Sequence, residues 1–252
     1  MTAERGGGTP ATGALGQSFD RYAAEYDVAL NQGLAHSGER KEYFAEGRIR
    51  WLARRLRSLG ASAERVLDFG CGTGASTPYF FDVLGARSVL GVDVSEQSLT
   101  VARSAQGRRP GVRFAAIEVD SGPVAAFELA FCNGVFHHIP PAERLTAVRY
   151  VERALRPGGV FAFWENNPWN PGTRYVMSRV PFDRDAITLT PPEARRLLSA
   201  GGLEVLRTEF LFIFPRFLHR LRPLEPALSA LPLGGQYLVL CRKSRVAGDR
   251  TA

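Results

Sequence analysis

Short apolar runs alternate with amphipathic stretches through the middle of the chain. The runs near 65–69, 88–93, 112–117, 128–133 and 159–165 are bounded by turn-forming residues, as buried strands are. Between them apolar positions recur at helical spacing near 76–84, 95–106 and 142–155, and again at 191–200 after a long loop. This alternation predicts a parallel sheet covered on both faces. Upstream, residues 40–59 read as a long amphipathic helix, and residues 19–30 put Phe19, Tyr22, Tyr26 and Leu30 on one side of another. Downstream the pattern changes. Residues 202–214 form a long apolar stretch and 237–241 a short one, with no strand–helix–strand pattern between them. They are expected to close the sheet as an antiparallel pair. Residues 215–235 are rich in leucine but broken by Pro223, Pro226 and Pro232, too often for a long helix.

The first strand leads into chemistry. Val66-Leu67-Asp68-Phe69-Gly70-Cys71-Gly72-Thr73-Gly74 is an apolar run, a carboxylate and a glycine-rich turn. Glycines let the backbone turn sharply and bring a ligand against bare main chain, and the helix that follows presents free N–H groups. The next strand, Ser88-Val89-Leu90-Gly91-Val92-Asp93, ends in an acid placed to accept two ribose hydroxyls. Residues 70–75 also fit the dinucleotide pattern G-x-G-x-x-A. Asp68 weighs against that reading, because an acid so close would repel a pyrophosphate. The same acid suits a ligand with an ammonium group and no phosphate, such as S-adenosylmethionine. A tight turn that binds nothing is the remaining alternative.

Composition narrows the class. A chain of 252 residues with 45% hydrophobic content suits one large α/β domain. No apolar run reaches the length of a membrane-spanning helix. Residues 1–16, rich in Gly, Thr and Ala, read as a flexible tail and not a secretion signal, and 246–252 as a second tail. Cys71, Cys132 and Cys241 form no C-x-x-C pair, which fits a reducing cytoplasm. No His, Cys or acidic cluster shows ligand spacing, so no metal is expected. The net charge of +7 hints at an acidic partner. Arg48, Arg50, Arg54, Arg55 and Arg57 cluster on one helix, where a solvated face is the plainer reading than a nucleic-acid patch. No nucleic-acid module is present, and no nucleic-acid partner is expected.

Four landmarks taken in order, Val66 to Gly74, Gly91-Val92-Asp93, Asn133-Gly134-Val135-Phe136-His137-His138-Ile139 and Leu155-Arg156-Pro157-Gly158-Gly159, resemble those of class I S-adenosylmethionine-dependent methyltransferases. The resemblance covers roughly residues 64–242. It implies a Rossmann-like, doubly wound, seven-stranded, mostly parallel sheet with one antiparallel strand near the C-terminus. It places the methyltransferase domain at 17–245, with an N-terminal helical lid at 17–59. By the same resemblance, Asp68, Gly70, Gly72 and Gly74 hold the methionine end of S-adenosylmethionine. Asp93 binds the ribose, Val94 flanks the adenine and Asn133 lies under the cofactor. The acid that usually follows the third strand falls here on Glu118, with Asp120 as the other choice.

The acceptor side is less specified. A neutral hydroxyl must lose a proton, a task suited to His137 or His138 after the fourth strand, although such histidines are also common packing residues. Residues 163–175 interleave aromatic and polar groups, which suits a substrate wall. Glu165 is a candidate base or an anchor for Arg174. Asn166, Arg174 and Tyr175 are candidate substrate contacts, as are Tyr22 and Tyr26 from the lid. The rival is an ordered loop in which Arg174 and Arg184 pair with Asp183 and Asp185. The expected activity is methyl transfer to a small-molecule acceptor, first a hydroxyl of a secondary metabolite or an apolar, lipid-like precursor. Next comes a carbon of a quinone or isoprenoid precursor, with nitrogen third. A nicotinamide-dependent oxidoreductase and a non-catalytic cofactor binder are the rivals from other classes. The greasy 210–233 stretch also suits a pocket entrance, a peripheral membrane contact or a subunit contact.

Overall fold

The computed structural model describes residues 38–118, 122–183 and 186–245. The expected tails at 1–16 and 246–252, most of the lid with Tyr22 and Tyr26, and Asp120, Arg184 and Asp185 lie outside the described residues.

The first described helix is α1 (Lys41–Ser58), as its apolar spacing predicts. The chain then alternates β1 (Arg65–Phe69), α2 (Thr77–Asp82), β2 (Ser88–Asp93), α3 (Glu96–Gln106) and β3 (Val112–Ala116). It continues with β4 (Phe127–Asn133), α4 (Arg144–Ala154) and β5 (Leu155–Asn166). After β5 comes α5 (Pro171–Arg179), inside the expected long loop. Its start is coded locally: Pro171 suits the first turn, and the Asn170 side chain accepts the Thr173 N–H at 3.0 Å. Only Met177 of α5 is buried, so no apolar stripe announced it. Then come α6 (Pro191–Ala200), β6 (Leu203–Leu211), a 3-10 helix (Arg216–Leu224), the single turn α7 (Glu225–Leu228) and β7 (Gln236–Lys243).

The seven strands form one sheet in the order β3-β2-β1-β4-β5-β7-β6. β1 to β5 pair in parallel. β7 runs antiparallel to both β5 and β6, so the two apolar stretches at the end of the chain do close the sheet together. Alternate residues of each strand face opposite layers. Leu67, Ala130, Cys132, Phe161, Phe163 and Val239 pack with Val148, Val151, Ala194 and Leu198 of α4 and α6. Val66, Leu129, Phe131, Val160, Ala162 and Leu240 pack on the other face with Ile49, Leu52 and Leu56 of α1 and Phe80 of α2.

The strand order reverses between β1 and β4. Open α/β sheets leave a crevice at such a point, beyond the carboxyl ends of the strands. The turn after β1 and the loop after β4 meet there. A Cβ on Gly70 would sit 2.3 Å from a Val135 methyl, so only glycine lets these two loops touch.

Candidate active site

The first half of the crevice is made by β1 and β2. Gly70 and Cys71 donate to the Val92 carbonyl at 2.8 and 3.0 Å, folding the turn back onto β2. Asp93 fixes its rim. One carboxylate oxygen accepts the Gly72 N–H at 2.8 Å and the other the Ser95 N–H at 2.9 Å. Gly72 has φ of 51°, and no heavy atom lies within 4 Å of where its Cβ would be. Bare backbone facing open space is a cradle for a ligand. Asp68 lies buried at its base. Burial, with Asp93 nearby, pushes its carboxyl up to about 8, while Arg48 pulls the other way. Such a group gains from a cation brought against it. Cys71, its thiol raised well above the usual range by burial, fills space beneath the turn.

The second half is a cavity of about 400 Å³ between the loop after β4, α1, α5 and the β6–β7 connection. Phe44, Val176, Met177, Phe212, Ile213 and Phe214 make its wall mainly apolar. A polar line runs across its floor. Arg48 donates to Gln236 at 2.9 Å, and the Gln236 amide donates to Asn166 at 3.2 Å and, more weakly, to Asn133 at 3.5 Å. At one end sits a cluster of two histidines and two acids. Glu165 accepts the Phe136 N–H at 2.8 Å with one oxygen and meets His137 Nδ1 at 2.5 Å with the other. His137 Nε2 lies 3.5 Å from Asp183 Oδ1, and His138 Nε2 lies 3.3 Å from the same oxygen.

These contacts give the two histidines opposite states. Burial disfavours a charge on His137, but Glu165 and Asp183 outweigh it and raise the imidazolium to about 10. Burial lowers His138 below the ordinary histidine value, helped by the charge on His137 and opposed by Asp183. Burial would raise Asp183, yet hydrogen bonds from both histidines keep it below the usual carboxylate range. At neutral pH the cluster therefore holds a charged His137 between two carboxylates and a neutral His138 beside the cavity. His137, His138 and Asp183 also bring one ligand atom each within 4.8 Å of one another, a grouping their sequence spacing did not show. A metal there would have to displace the strongly held His137 proton.

Residues 66–159 match the family model described as a methyltransferase domain. The chain is 32% identical over 170 residues to a ubiquinone biosynthesis O-methyltransferase of Idiomarina loihiensis, covering 62% of this chain and 68% of that one. It is 32% identical over 161 residues to a trans-aconitate 2-methyltransferase of Methylobacterium nodulans, covering 63% and 58%. The chain belongs to the class I S-adenosylmethionine-dependent methyltransferases. The fold agrees. A solved S-adenosylmethionine-dependent methyltransferase of Mesorhizobium loti superposes with a TM-score of 0.55 at 24% identity, over 75% of this chain and 96% of that one. The [4+2]-cyclase SpnF superposes with a TM-score of 0.66 at 19% identity, over 94% and 98%, which is a likeness of fold alone.

In this methyltransferase the cofactor is S-adenosylmethionine, whose ammonium suits Asp68 and whose ribose hydroxyls suit Asp93. Asp68, Gly70, Gly72 and Gly74 stand on β1 and in the turn after it, Asp93 and Val94 at and just past the end of β2, and Asn133 at the end of β4 on the cavity wall. Glu118 stands exposed beyond the end of β3. On the acceptor side His138, Asn166 and Tyr175 line the cavity. The other candidates stand differently. Arg174 is exposed on α5 and does not line the cavity. Glu165 accepts from the Phe136 N–H and meets His137, and no Arg174 contact to it is found among the described residues. His137 holds its proton strongly, which does not suit a base, and Asp183 lies within 3.5 Å of both histidines. The arginine cluster of α1 is also not one solvated face. Arg48 is buried in the site, and Arg55 pairs with Glu209 at 2.6 Å. Sequence reasoning missed Arg48, Asp183 and Gln236 as site residues. Arg48 and Gln236 are 188 positions apart, and no local signal joins them.

Proposed function

We propose that this methyltransferase transfers a methyl group to a hydroxyl of an apolar small molecule, with His138 as the base. The observation that carries the reading is the His138–Asp183 pair on the wall of a mainly apolar cavity, backed by a charged His137. S-adenosylmethionine supplies a methyl on a sulfonium that an aligned oxygen displaces in line. The chain's own task is then alignment and proton removal. The apolar wall from α1, α5 and the β6–β7 connection excludes water and holds the body of the acceptor. Asp183, 3.3 Å from His138 Nε2, orients the ring at the cavity wall, and the neutral imidazole takes the acceptor's proton. His137 and Glu165 act through Asp183. They keep it ionised and aimed at His138, and so are positioning residues. The relative from Idiomarina loihiensis, named an O-methyltransferase, supports an oxygen acceptor.

The test is methyl transfer to a panel of apolar phenols and alcohols against matched amines. The hydroxyl compounds are expected to be methylated. His138→Gln should keep S-adenosylhomocysteine affinity and lose turnover by about a hundredfold or more. The acid limb of the wild-type rate, expected below the ordinary histidine value of 6.5, should vanish with it. Activity should also survive EDTA, because a proton and not a metal balances the two acids. Methylation confined to amines, or an unchanged rate in His138→Gln, contradicts the reading.

A further inference from the structure

The segment joining β6 to β7 forms a platform whose apolar face is uncovered among the described residues. Its 3-10 helix buries none of its side chains. Phe217 is 76% exposed and Leu224 53%, and Leu221, Leu231 and Leu233 are exposed with them. Large apolar side chains gathered in this way mark a contact surface. The backbone beneath them is pinned. Glu225 accepts the Ile213 and Phe214 N–H groups at 3.1 and 3.0 Å. The Asn167 amide donates to the carbonyls of Pro232 and Gly234 at 3.2 and 2.8 Å, and Asn170 donates to that of Leu233 at 2.7 Å.

Charge decides what covers this face. Residues 215–235 contain three arginines and one acid. The acid, Glu225, is taken up by backbone, whereas Arg216 and Arg220 stand exposed among the apolar side chains. A second copy docked face to face would set these arginines against their own equivalents. An anionic lipid surface accepts both features, arginines among the headgroups and leucines at the acyl boundary. The face is also continuous with the cavity, since Phe217 lines the cavity and is exposed on the platform.

We propose that the 216–233 platform docks this methyltransferase on an anionic lipid surface, so that the acceptor passes Phe217 from that surface into the cavity. The docking stands whatever atom is methylated; delivery of the acceptor rests on the function proposed above. The test needs no acceptor. Full-length protein is sedimented with phosphatidylglycerol vesicles and, separately, with phosphatidylcholine vesicles. It is expected to pellet with the first and to partition at least about tenfold more weakly to the second. Leu221→Ser with Leu224→Ser, two positions outside the cavity wall, should weaken anionic binding by about tenfold or more. S-adenosylhomocysteine binding checks that the fold is intact. Arg220→Glu, a change at an exposed position, should weaken binding as well and flatten its salt dependence. Wild-type protein that stays in solution with both lipids, or binds both alike, overturns the proposal. So does a dimer in sedimentation velocity that the double variant breaks, with no vesicle binding, because the second copy is then the occupant.

Discussion

Asp68 carries the tension between folding and binding. Its ordinary value is 3.8, and burial takes it to about 8 in the folded chain. Between those values the native state keeps a proton that the unfolded chain has released. Stability therefore falls as pH rises from about 4 to about 8, and the full cost applies above that. Asp68→Asn removes the cost. The variant is expected to be more stable than wild type near pH 8 without ligand, on the order of a few kcal/mol, and indistinguishable near pH 4. The same change should remove most S-adenosylhomocysteine affinity, since an amide cannot neutralise an ammonium. In wild type that affinity should rise with pH until about 8 and then level off. Thermal melts and titration calorimetry across this range check both halves. An Asn variant that melts lower near pH 8, or that binds the ligand as well as wild type, would show that Asp68 does something else.

At the scale of elements, α1 is fastened to the far edge of the sheet by a buried acid. Glu209 of β6 accepts from Trp51 Nε1 at 2.9 Å and from Arg55 Nε at 2.9 Å. Removing the acid leaves a buried N–H and a half-buried guanidinium without it. Glu209→Ala should destabilise the fold by about 2–3 kcal/mol in urea unfolding. Arg57→Ala, on the exposed side of the same helix, should change it by under about 0.5 kcal/mol. Equal effects would mean that α1 is held by its apolar face alone. This clamp also shows where the sequence was legible. α1 itself was visible, because Ile49, Leu52 and Leu56 recur at helical spacing. Its attachment was not, because Trp51 and Glu209 lie 158 positions apart. The cofactor half of the site was readable for the same reason as α1. Asp68, the glycines and Asp93 belong to two successive strand–turn units, and their geometry is set by neighbours in sequence. The acceptor half draws on α1, the loop after β4, β5, the stretch around Asp183 and β7. No periodicity records that meeting, which is why Arg48, Asp183 and the weakly apolar α5 carry no signal in the sequence.

Over the whole molecule, the parallel strands point the loops after β1 and β4 into one crevice, while the antiparallel β7 returns Gln236 to its floor. The buried charges built into that arrangement set the response to pH. His137 is raised from 6.5 to about 10 in the folded state, so its contribution to stability is complete below about 6.5 and is lost as pH rises through about 10. Asp68 acts in the same direction at lower pH, and together they predict a ligand-free protein that weakens steadily from mildly acid to alkaline conditions. The proposed chemistry depends on the same charges. It requires His137 to be an imidazolium and His138 a neutral ring at the pH of turnover. Nitrogen-detected NMR of histidine-labelled protein, which has four histidines in all, reads this directly once each signal is assigned by Gln substitution. Near neutral pH, His137 is predicted to show two protonated ring nitrogens and His138 only one. A neutral His137, or a His138 that carries the charge, would contradict the account.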